Sequence, residues 1–244
     1  MAIQASTIID RASKIVQDTT NIRWPASELI QWLNDAQREI VLHRPDANPK
    51  TAQITLAAGT RQTLSSGTGA GGVGSNVNPA KLLDVICNVG EAGRTKAMRL
   101  VQREVLDAQT PGWHALTGVS EPVHYMTDPR DPLSFYVYPP ALVTSKVEVL
   151  FSAYPTDVSD PVGSSTIALS DIFGNALLDY VLYRAYSKDS EYAGNAQRAQ
   201  FHYQSFANSL GLELKGTLMM SAAITGSTWN PNAPKMNAPQ PGAN

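Results

Sequence analysis

A few sets of residues in this 244-residue chain have types and spacings that could do chemistry. Gly67, Gly69 and Gly72 in SGTGAGGVGS have the spacing G-x-G-x-x-G. Such glycines cradle a pyrophosphate only when a strand precedes them and a helix opens on the last one, because helix N–H groups supply the anion site. Here NVNPAKLLDV follows, a loop and then a strand, so the spacing predicts a flexible loop. TDPRDP sets Asp128 and Asp131 three apart. Paired carboxylates can bind a metal or do acid–base work. Asp before Pro is also ordinary turn chemistry, and a turn is the expectation. Cys87 is the single cysteine, which rules out an internal disulfide. Paired with a base it could be a nucleophile, but on the apolar face of a predicted strand a thiol is inert packing. His43, His114, His124 and His202 show neither H-x-x-H nor H-E-x-x-H spacing, and no G-x-S-x-G elbow occurs. The expectation is no catalytic site, no cofactor and no metal.

The elements that would position these residues follow from periodicity. A helix is predicted over 3–17, with Ile8, Ile9, Ala12, Ile15 and Val16 on one side. RWPASELIQWLNDAQREIVLHRP predicts a second. Pro25 suits its first position, Leu29, Leu33, Ala36 and Ile40 form a stripe, and Pro45 ends it. The middle changes to period two. Strands are predicted at 51–64, at 81–89 with Leu83, Val85, Cys87 and Val89 on one face, and around Phe135 and Val137. Another has Val147, Val149 and Phe151 inward and Lys146 and Glu148 outward, and a short helix near 101–108 interrupts the series. The helical period then returns. Ser170 is the expected N-cap of a third long helix, with Phe173, Leu177, Tyr180 and Arg184 sharing a face. After a break at 188–190, Tyr192, Ala196, Ala199, Tyr203, Phe206 and Leu210 form a seam that Gly211 should close.

The fold class read from this pattern is α+β. Terminal α-helices (1–50 and 170–211) form a bundle, a central antiparallel β-sandwich-like insert spans 51–169, and an extended tail spans 212–244. Hydrophobic residues make up 43% and charged residues 16%, with net charge −2. Without a basic run, tight electrostatic binding of nucleic acid is not expected. No signal peptide or membrane span is legible, so the chain is expected to be intracellular when made.

What remains is surface. Tyr180, Tyr183, Tyr186, Tyr192, Phe201, Tyr203 and Phe206 crowd the last two helices. Two helices can bury only part of this set. Tyr183, Tyr186 and Phe201 are therefore candidate subunit contacts, weighed against packing within the chain.

RWPASELIQWLNDAQREIVLHRPDA, LAAGTRQTL, PGWHA, DPRDPLSFYVYPP, VEVLFSAYP and LLDYVLYRAYSKDSEYAGNAQRAQFHYQSF occur in this order. Together they resemble the head-to-tail adaptor proteins of tailed bacteriophages, and are similar to the tail tubular A proteins of short-tailed phages. The resemblance covers about residues 3–211. It implies a structural protein of the virion neck, made in the host cytoplasm. It further implies a dodecameric ring beneath the portal protein, joined to tail or nozzle proteins, with genomic DNA passing through its channel. A tail tube or nozzle protein is the alternative, and a hydrolase using Asp128 and Asp131 with metal a further one. The segment STWNPNAPKMNAPQPGAN, with four prolines, four asparagines and one charge, is expected to be an extended arm. Trp229, Asn230, Pro231, Pro234, Met236 and Pro239 are its candidate contacts with the portal or a neighbouring subunit.

Overall fold

A computed structural model describes residues 3–160, 165–192 and 194–224, with side chains described to Gly211. Helix α1 is Ala5–Ile15 and α2 is Ala26–His43. Pro25 sits one residue before α2, in extended conformation, and its carbonyl accepts the N–H groups of Glu28 and Leu29. The predicted stripe Leu29, Leu33, Ala36 and Ile40 is fully buried. Each such Leu or Ile contributes about 1.5–3 kcal/mol by leaving water. Pro45 opens a single 3-10 turn, because it has no N–H to continue α2.

Among the described residues eight strands follow: β1 Pro49–Thr55, β2 Gly59–Thr63, β3 Pro79–Gly90, β4 Gly93–Ala97, β5 Arg99–Leu100, β6 His124–Asp128, β7 Asp131–Ala141 and β8 Lys146–Ala153. Helix α3, Arg103–Gln109, lies between β5 and β6. One sheet has the order β1-β8-β3-β4 and the other β2-β7-β6-β5. All pairs are antiparallel except the short β5–β6 pair. Ile54, Val85, Val147, Val149 and Phe151 of the first sheet share a core with Tyr125, Phe135 and Val137 of the second. Shared burial of two inner faces is what a sandwich requires. The Tyr125 hydroxyl donates to the Asp84 carboxylate and ties the second sheet to the first.

Helices α4, Gly174–Lys188, and α5, Asn195–Ile224, are the last of the described elements. Buried residues of α1, α2, α4 and the described part of α5 belong to a second hydrophobic cluster. Asn34 on α2 joins this part to the chain leaving β8: its amide donates to the Val158 carbonyl and accepts the Val158 N–H, both at 2.9 Å. Residues up to Leu210 form one compact unit, and those from Gly211 onward another.

Several expectations need correction. The predicted face of β3 is wrong at two places because the strand carries bulges. Leu82 pairs with Phe151 and Asp84 with Leu150, so Leu83 is an extra residue. Leu82 turns inward in its place. A second irregularity between Val85 and Cys87 sets Cys87 opposite Glu148, away from the sandwich core. Helix α5 starts at Asn195 and passes through Gly211 to Ile224. Glycine permits a stop but does not impose one, and LELKGTLMMSAA is mostly good helix formers. The expected extended arm is therefore helical over 212–224, and residues 225–244 lie outside those described.

The Gly-rich loop is folded, with backbone bonds Ser65 N–H to Gly71 O, Val73 N–H to Ser65 O and a reciprocal pair between Gly67 and Gly74. Val73 plugs it into the sandwich core.

Candidate assembly interface

The residues with chemical potential are spent structurally. In the folded loop, Gly71 has φ +74 and an added Cβ would lie 1.9 Å from the Thr63 carbonyl oxygen. Glycine there serves close backbone approach. No helix opens on Gly72, so the anion site of a dinucleotide fold is not built. Asp128 and Asp131 face each other at the β6–β7 turn. Asp128 receives the Arg130 guanidinium at 3.1 and 3.2 Å and its backbone N–H at 2.9 Å, which together hold its carboxyl below the usual range. Asp131 pairs with Arg61. Among the described residues, no group of three or more His, Cys, Asp or Glu could hold a metal ion.

Cys87 is buried, and its thiol donates to Glu148 Oε2 at 3.7 Å. Burial first, and then the adjoining carboxylate, push this thiol upward, so the thiolate is disfavoured. His114 stacks on buried Trp113 with ring centroids 3.7 Å apart, and its Nδ1 meets Thr60 Oγ1 at 2.9 Å. His43 pairs with Glu39 one turn back on α2. His124 stacks on Tyr138.

The aromatic residues of α4 and α5 are sorted by the geometry. Leu177, Val181 and Ala185 point into the helical core and leave a row of rings towards α5. Tyr180 meets Phe206 edge-on at 5.1 Å, Tyr183 meets Tyr203 at 5.0 Å, and Tyr186 stacks on His202 at 5.7 Å. Tyr186, a candidate subunit contact, is thus buried within the chain. Tyr183 is half-buried. Phe201 is 68% exposed, and its ring meets its chain neighbour His202 edge-on at 5.5 Å. His202 meets Asp179 of α4 at 2.9 Å. Sequence periodicity missed this because a helix of fifteen residues, α4, supplies the partner from across the seam.

A second exposed apolar group lies at the sandwich tip. Leu142 and Val143 form the β7–β8 turn, and Leu116 is also exposed. Ser145 fixes this turn by accepting the Leu142 N–H and donating to the Val119 carbonyl. The tip is at the opposite end of β8 from Ala153, whose N–H bonds the Asn48 carbonyl just after α2. Large apolar side chains fixed on a rigid turn cost little entropy to bury against a partner.

A family model described as SU10 adaptor protein matches residues 3–231. The chain belongs to the SU10 adaptor protein family. This is a family of phage head-to-tail adaptors, structural proteins rather than enzymes, and the match runs through both sheets and all of α5. Among curated proteins the adaptor chain finds no match. The expected arm contacts Trp229, Asn230, Pro231, Pro234, Met236 and Pro239 lie outside the described residues of the adaptor. Among the described residues no helix is long and apolar enough to cross a membrane.

Proposed function

We propose that this adaptor assembles as a ring, a dodecamer, beneath the portal protein in the neck of the virion. There it joins the capsid to the tail or nozzle proteins. Genomic DNA passes through the ring without sequence-specific binding, in keeping with a net charge of −2. The observation that carries this reading is the family match over residues 3–231.

The geometry supports a division of labour. The helical bundles pack side by side, with Phe201 reaching a neighbouring subunit and Tyr183 backing it. The uncharged tip at Leu142 and Val143 meets the tail proteins. The arm 227–244, with Trp229 and Met236 as anchors, docks on the portal or a neighbour.

Electron microscopy of the chain mixed with purified portal tests the whole reading. Ring-shaped particles with twelvefold symmetry, seated on the portal, are expected. Failure to bind portal at every ionic strength tried would end it. Removing residues 227–244 should weaken attachment and leave the fold intact.

A further inference from the structure

Helices α4 and α5 are attached very differently. Helix α4 buries Ala176, Leu177, Leu178, Tyr180, Val181, Leu182, Ala185 and Tyr186, on nearly all sides. Among the described side chains of α5, those buried are Ala199, Phe206 and Leu210. They recur at steps of seven and four, a single narrow stripe, and one of the three is only alanine.

Besides Arg198 of α5, whose guanidinium lies over the Tyr186 ring at 5.7 Å, the polar contacts of this pair centre on one side chain. Asp179 of α4 accepts from His202 Nδ1 at 2.9 Å through one oxygen and from Ser205 Oγ at 2.8 Å through the other. A carboxylate only accepts, so Nδ1 carries the proton. His202 and Ser205 are three apart and share a face of α5, so one carboxylate sets both the rotation and the height of the helix. The Asp179 and His202 side chains are 22% and 18% exposed. Water can therefore replace these bonds without stranding a buried group.

We propose that Asp179 is a latch that holds α5 as a strap over the aromatic face of α4, and that its release uncovers Tyr180 and Tyr186 while α1, α2 and α4 stay packed. The rings that α5 covers are those facing Phe206 and His202. The other side of α4 is tied independently. Trp24 Nε1 donates to the Ala185 carbonyl at 3.2 Å, Lys188 pairs with Glu28, and Leu177 and Val181 are fully buried. An element held by few apolar groups and a few bonds that water can reach opens at lower free energy than the core beneath it. The latch gives this chain an opening step of its own, distinct from unfolding.

Hydrogen exchange read by mass spectrometry on the full chain tests this. In Asp179→Ala, peptides within 195–210 should exchange about tenfold faster or more, with peptides of 26–43 unchanged. Ser205→Ala removes one of the two bonds and should give a smaller acceleration confined to the same peptides. Wild-type protection over 195–210 in both variants would overturn the latch. So would equal acceleration in α2, which would make Asp179 a support of the whole core. Should Asp179→Ala fail to fold, the Ser205→Ala pattern decides by the same two criteria.

Discussion

Arg94 on β4 reaches across β3 and holds the Glu148 carboxylate of β8 with two nitrogens, Nε at 2.5 Å and Nη2 at 2.7 Å. Glu148 was expected to point outward to solvent, and it does leave the sandwich core, yet it is only 5% exposed. Its charge is kept by the arginine. Those hydrogen bonds hold its carboxyl below the ordinary glutamate range. A depressed folded-state value means the contribution to stability is fully present above the unfolded value, about 4.3. It is lost as pH falls through the lower folded value. Arg94→Ala should therefore lower Tm most at neutral pH, and the gap to wild type should close as the pH drops below about 4. Thermal melts from pH 7 to pH 2.5 check this; a constant gap would contradict it.

Gly71 and Gly69 separate two roles of glycine in one loop. Gly71 has φ +74 with the Thr63 carbonyl in the way of a side chain, whereas nothing lies within 4 Å of a Cβ at Gly69. Gly71→Ala should cost about 3 kcal/mol or more, and Gly69→Ala less than about 0.5 kcal/mol. Urea denaturation of the two variants gives both numbers.

The β3 bulge predicts an inversion of the simple alternation. Leu82 is 5% exposed and belongs to the sandwich core. Leu83 is half-buried outside it. Leu82→Ala should cost about 2–5 kcal/mol and Leu83→Ala under about 1 kcal/mol. Equal costs would mean the register slips by one residue.

Trp113 is fully buried, and its Nε1 donates to Asp107 at 2.8 Å, fastening α3 to the chain that follows it. Helix α3 buries no residue of its own. Trp113→Ala should cost about 3–5 kcal/mol. It should also open 101–123 to proteases, seen as cleavage there at concentrations that leave wild type intact.

Phe201→Asp should change monomer stability by less than about 0.5 kcal/mol, because the ring is exposed. If the ring contact proposed above is right, the same change abolishes twelvefold particles in the microscope. Normal rings from this variant would remove Phe201 from the interface.

Local signals were legible wherever one element carried its own period. The α2 stripe, the inward Val147, Val149 and Phe151, and the turn at Asp128–Asp131 all stand as the residue pattern predicts. Failures occurred where a second element decided. The face of β3 depends on its bulged pairing with β8, and a bulge leaves no period to read. The glycine loop looked flexible because glycine is permissive, but Val73 and a set of backbone bonds fix it. Gly211 looked like a stop because glycine often ends helices, and the helix formers on either side carry α5 past it.

By itself, then, the order of residues determined the alternation of helical and period-two segments, the α+β class and the resemblance to phage adaptors. The first two are written in spacings of two, three and four along one chain, and the resemblance in the order of its motifs. Only the tertiary structure decided which of the aromatic side chains are spent and which are free. Tyr186 and Phe201 are both aromatic residues beside the same seam, yet one lies under His202 and the other meets solvent. Burial depends on what lies opposite, and the residues opposite come from a different part of the sequence.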